Sequence, residues 1–99
     1  MSEKQILLLR TCKKDFEKII NGLEKCRYLE IKPYWESRIF DKNGEIKNFE
    51  EIHIKNGYKP DSPLVKVEFG GIKTEVECEG KKYFKVNLGK ILEIENYLP

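Results

Sequence analysis

The spacing of apolar positions changes several times along the chain, and each change marks an element. Gln5 to Arg10 contains Ile-Leu-Leu-Leu, a continuous apolar run that fits a strand covered on both faces. Phe16, Ile19, Ile20 and Leu23 then recur at i, i+3, i+4 and i+7, the single stripe of an amphipathic helix. Lys13, Lys14, Glu17 and Lys18 fill its other face, Thr11 is placed to cap it, and Gly22 is placed to end it. Arg27 to Lys32 alternates and reads as a second strand, stopped or bent by Pro33. Tyr34 to Phe40 fits either a short strand or a turn of helix. Asp41-Lys42-Asn43-Gly44 is a turn signal.

Alternation resumes at Phe49 to Lys55, with Ile52 and Ile54 inward and His53 and Lys55 outward. The stretch from Asn56 to Pro63 is a loop by its Gly, Pro, Asp and Ser content. Leu64 to Phe69 reads as strand four, broken by Gly70-Gly71, and Ile72 to Cys78 as strand five. Lys82 to Leu88 reads as strand six, with Gly89 as a further break before Ile91 to Leu98, a closing strand or helix. One helix cannot cover both faces of a flat sheet of this size. The pattern therefore predicts an α+β domain, a small β-barrel of about six strands with one main helix after the first strand.

The chain's 99 residues suffice for one core, so residues 1–99 form a single domain. Charged residues make up 36% yet nearly cancel to +2, which argues against a protein that coats duplex nucleic acid but leaves room for a local basic groove. Cys12, Cys26 and Cys78 are odd in number and lack metal-knuckle spacing, so they read as reduced thiols of a cytoplasmic protein. No metal site or cofactor motif is read. The apolar run at Gln5 to Leu9 is too short for a signal peptide or a membrane span.

Chemistry concentrates between Arg27 and Arg38, where two of the three arginines stand among Tyr28, Tyr34 and Trp35. Arg27, Lys32 and Arg38 can hold phosphate, the arginines in bidentate fashion. Glu30 can accept hydrogen bonds from the edge of a base, and Trp35 or Tyr34 can stack on it. The plainer alternative is a surface ion pair between Glu30 and Lys32 with Trp35 in the core. A second candidate is the loop after the third strand. There Gly57 allows close backbone approach, Asn56 can read a polar edge, Tyr58 can stack and Lys55 can meet phosphate. The alternative there is a turn whose Tyr packs on the barrel. His53 reads as an exposed histidine rather than a general base, and no catalytic residues are assigned.

These segments resemble the ASCH family, a branch of the PUA-like barrels. That family follows its first strand with a helix and then a Gly-x-Lys-x-x-Glu-x-Arg motif. Gly22 looks like the motif's glycine. Arg27-Tyr28-Leu29-Glu30-Ile31-Lys32 looks like its remainder, with extra residues between Gly22 and Arg27. Pro33-Tyr34-Trp35-Glu36-Ser37-Arg38 and Ile54-Lys55-Asn56-Gly57-Tyr58 are similar to segments of small, phage-type members. Phe84-Lys85-Val86-Asn87-Leu88-Gly89-Lys90-Ile91 resembles the family's closing strand. The resemblance implies a PUA-like barrel that binds RNA or a nucleotide-like ligand, and the chain is expected to be a monomer.

Two other functions remain open. One is a phage-encoded inhibitor that binds a host protein, through an acidic patch such as Glu75, Glu77 and Glu79 or by strand addition at a sheet edge. The other is an amidohydrolase acting on N4-acylated cytidine, an activity found among small ASCH proteins. That chemistry uses a Lys, a Thr nucleophile and a distant Glu. Arg27 and Tyr28 stand at the first two positions, and Glu68, Glu75 or Glu77 would have to supply the third. Arginine stays charged and is a poor base, so the enzyme is not the preferred reading. A thiol route through Cys26 is weakened because neighbours in a strand point to opposite faces.

Overall fold

Residues 5–97 are described by a computed structural model. The order of elements is β1 (Ile6–Arg10), α1 (Lys13–Ile20), β2 (Cys26–Glu30), α2 (Pro33–Ile39), β3 (Glu51–Lys55), β4 (Leu64–Cys78) and β5 (Lys81–Glu95). The strands form one mixed sheet in the order β1-β3-β4-β5-β2. Only β1 and β3 are parallel, since the chain passes through both helices between them; the other neighbours are antiparallel.

The sheet is open. Among the described residues β1 and β2 stand at its two ends and do not pair with each other, so the expected closed barrel is not what these strands form. The strand count differs for a physical reason. The glycines expected to end strands instead lie within two long strands. A Cβ at Gly70 would stand 2.8 Å from the Asn87 carbonyl oxygen, and one at Gly89 2.9 Å from that of Glu68. The bare backbones let β4 and β5 press together while bulges between Lys66 and Val76 shift the register. Bulges of this kind bend a ribbon without breaking it.

One face of the sheet carries the core. Leu7 and Leu9 of β1, Ile52 and Ile54 of β3, Val65 and Val67 of β4 and Val86 of β5 are buried there against Phe16 and Ile19 of α1. Phe16 and Ile19 of the helical stripe are buried, but α1 ends at Ile20 and leaves Leu23 exposed, and β1 is covered on one face rather than both, with Ile6 and Leu8 exposed. The cap of α1 departs from expectation. Cys12 takes the N-cap position without a side-chain bond, and the Thr11 hydroxyl is buried with no partner among the described residues. The segment from Tyr34 resolves as helix because Pro33 opens it at a first-turn position, where its missing N–H costs nothing. Ile39 of α2 is buried, and Phe40 just beyond meets Phe84 of β5 edge-on at 5.8 Å. Among the described residues no helix is long and apolar enough to cross a membrane.

Candidate functional site: a basic cleft between the first strand and the second helix

In α2, residues four apart share a face. Trp35 and Ile39 turn inward, with Trp35 half-buried against the core cluster. Tyr34 and Arg38 turn outward. The Arg38 guanidinium lies 3.6 Å from the centre of the Tyr34 ring, and its Nη1 donates to the Tyr34 carbonyl oxygen at 3.0 Å. Tyr34 in turn meets Trp35 edge-on at 4.9 Å. The ring and the carbonyl of Tyr34 therefore both hold the Arg38 guanidinium.

Tyr34 and Arg38 face the free edge of β1 across a cleft of about 480 Å³, lined further by Ile6, Leu8, Arg10, Lys47 and Phe49. That volume lies in the range of small-ligand sites, about 300–1,000 Å³. Its charge is one-sided: Arg10, Arg38 and Lys47 line it, and among the described residues no carboxylate does. Charges of one sign in a concave surface focus the field and attract an anion. No ion pair of Arg10, Arg38 or Lys47 occurs among the described residues.

Next to the cleft stands the loop after β3. Lys55 pairs in register with Arg10, and the Arg10 guanidinium lies 4.9 Å from the centre of the Tyr58 ring. The loop holds itself. Asn56 N–H donates to the Pro63 carbonyl at 2.9 Å, Lys59 N–H to Ser62 Oγ at 3.0 Å, and Lys55 Nζ to the Lys59 carbonyl at 3.3 Å. Gly57 sits at φ +121°, and a Cβ there would lie 2.9 Å from Ser62 Oγ, so only glycine fits the turn. The result is a Tyr58 that is 83% exposed on a loop closed by its own hydrogen bonds.

The residues expected from sequence thus fall into separate groups. Arg38 lines the cleft, and Lys55, Asn56 and Tyr58 stand beside it. Trp35 does not line it: it packs half-buried against the core, edge-on to Tyr34. Arg27 lies elsewhere: its Nη1 is 3.3 Å from Asp15 Oδ2 and 3.2 Å from Glu24 Oε1, half-buried beside α1. Glu30 and Lys32 pair with each other at 3.3 Å on the exposed surface. Comparison with protein-family models, curated proteins and solved structures finds no match.

Arg10 and Lys47 are cleft residues that sequence reasoning did not single out. Arg10 carried one signal, as one of only three arginines; Lys47 carried none. Outside the cleft, His53 is half-buried rather than exposed, with Nε2 2.9 Å from Glu51 Oε1. Tyr28 is half-exposed on β2, and the charge and hydrogen bond of Cys26, then burial and Cys78, push its phenol above the ordinary value.

Proposed function

We propose that the protein binds single-stranded RNA or a nucleotide-like ligand in the cleft between β1 and α2. The observation that carries this is the convergence of Arg10, Arg38 and Lys47, with no carboxylate among the described residues, beside the half-exposed Tyr34. Phosphate takes the guanidinium and ammonium groups, and a base stacks on Tyr34. The bent, open sheet serves as the framework that the ASCH resemblance leads one to expect as a PUA-like barrel. The free thiols of Cys12, Cys26 and Cys78 accord with a cytoplasmic setting, and the cleft needs no second copy to complete it.

A second reading, a module that binds a host protein, draws support from one observation. Among the described residues β1 is an end strand with a neighbour on one side only, and such an edge can accept an added strand. The amidohydrolase gains no such support. Arg27 is held by two carboxylates, and the Tyr28 phenol is pushed toward its protonated form.

Trp35 fluorescence tests the preferred reading, because a ring stacked on Tyr34 alters the surroundings of its edge-on neighbour. Short single-stranded RNA is expected to give a saturating change that weakens with salt. If phosphate meets all three cations, the slope of log affinity against log salt approaches about −2. Arg38→Gln is expected to weaken binding roughly tenfold while stability stays within about 0.5 kcal/mol of the parent. Absence of binding to RNA, DNA and nucleotides, by fluorescence and by calorimetry, overturns the reading.

A further inference from the structure

A single nucleotide stacked on Tyr34 leaves the most exposed aromatic of the chain without a role. Tyr58 presents its ring to solvent at 83% exposure from a loop closed by its own hydrogen bonds. Exposing that much apolar surface is unfavourable, and nothing in the packing requires it. Its ring lies against Arg10, as the ring of Tyr34 lies against Arg38. Two arginine–tyrosine pairs therefore flank one cleft that no carboxylate lines among the described residues, each with its cation lining it.

We infer that the ligand is a single strand with at least two adjacent unpaired bases, one stacked on Tyr34 and the next on Tyr58, with the linking phosphate held between Arg38 and Arg10. The inference rests on the nucleotide-binding reading above and narrows it. Each guanidinium is already placed beside a ring, so a base that lands on the ring brings its phosphate toward a cation whose position is set. Little side-chain freedom is then lost on binding. A duplex keeps its bases paired and stacked on one another, so it offers no free faces to two tyrosines. A mononucleotide satisfies one pair only.

The test compares adenosine monophosphate, the dinucleotide ApA carrying a 5′-phosphate, tetra-adenylate and a blunt RNA duplex by calorimetry on the whole protein. The dinucleotide and tetranucleotide are expected to bind roughly tenfold or more tighter than the mononucleotide, and the duplex more weakly than either single strand. In Tyr58→Ala the advantage of the dinucleotide over the mononucleotide collapses toward parity; Tyr58→Phe restores it, because the ring stacks without its hydroxyl. Tyr58 is a surface residue, so loss of fold does not confound the result. Equal affinity for mononucleotide and dinucleotide, or a Tyr58→Ala variant that keeps the advantage, overturns the two-base inference and leaves the nucleotide reading standing. No binding of any nucleotide overturns both, as does an acidic peptide that binds where none of these ligands does.

Discussion

Arg27 and Arg38 come from the same aromatic, basic stretch and end in opposite surroundings. Arg27 leaves β2 toward α1, where Asp15 and Glu24 take the same Nη1 atom and shield it from water. Arg38 leaves α2 toward the cleft, where it touches the ring and carbonyl of Tyr34 and meets no carboxylate among the described residues. One cation holds a helix in place, and the other is available to an anion from outside. The difference lies in what the rest of the fold brings to each side chain, since both have the same chemistry. Beside α1 the arginine is paired with carboxylates; in the cleft between β1 and α2 the lining cations meet none among the described residues.

The largest effect that tests this division belongs to the α1 side. Phe16 is fully buried in α1 and meets the Tyr97 ring at 5.6 Å. Phe16→Ala is expected to cost about 3–5 kcal/mol of unfolding free energy, a large share of the total for a domain of this size. Urea denaturation measures it. A loss under about 1 kcal/mol would mean that α1 is not anchored as described. Next in size is Arg27→Gln, which leaves Asp15 and Glu24 facing each other without their cation. A loss of about 1–2 kcal/mol is expected, between the values for buried and exposed charged pairs. RNA affinity measured on the folded protein should remain that of the parent. If Arg27→Gln instead weakens binding as Arg38→Gln does, the division between the two sides fails.

Local pattern was enough to place β1, α1, β2 and β3, because burial is written in the spacing of Leu7, Leu9, Ile52, Ile54, Phe16 and Ile19, but the apolar run of β1 suggested cover on both faces and only one is buried. It failed where a residue's meaning depended on a distant partner. Gly70 and Gly89 look like breaks to a local reading. They are clearances for the Asn87 and Glu68 backbones, which only the pairing of β4 with β5 reveals. The site divides in the same way. Arg38 beside Tyr34 and Tyr58 in a Gly-Pro loop are local combinations, visible in sequence. Arg10 joins them only because β1 runs parallel to β3 with its free edge toward α2, and Lys47 only because the segment before β3 returns to that edge. In the same way, the salt bridge that holds Arg27 depends on α1 packing beside β2.

The smallest expected effect is on the pH dependence of the α1 side, and its sign can be worked out. Tyr97 donates its hydroxyl proton to Glu17 Oε2 at 2.9 Å, which ties the chain after β5 to α1. The hydrogen bond to Glu17, with burial and the charge of that carboxylate, raises the phenol above its ordinary value of about 10. A group raised in the folded state contributes stability that is full below the unfolded value and is lost as pH climbs through the folded one. Above that point a phenolate would face a carboxylate, and the tie becomes a repulsion. Lys66 changes in the same direction. Its hydrogen bonds to Glu95 and then Glu93 raise it, and the same contact lowers Glu95, whose contribution is lost at the acid end instead. Unfolding free energy is therefore expected to fall as pH rises above about 10 in the parent, and less steeply in Tyr97→Phe, where the Lys66 and Tyr28 contributions remain. Identical slopes in the two proteins would show that Tyr97 does not secure α1, and that the α1 side depends on Phe16 and the Arg27 pair alone.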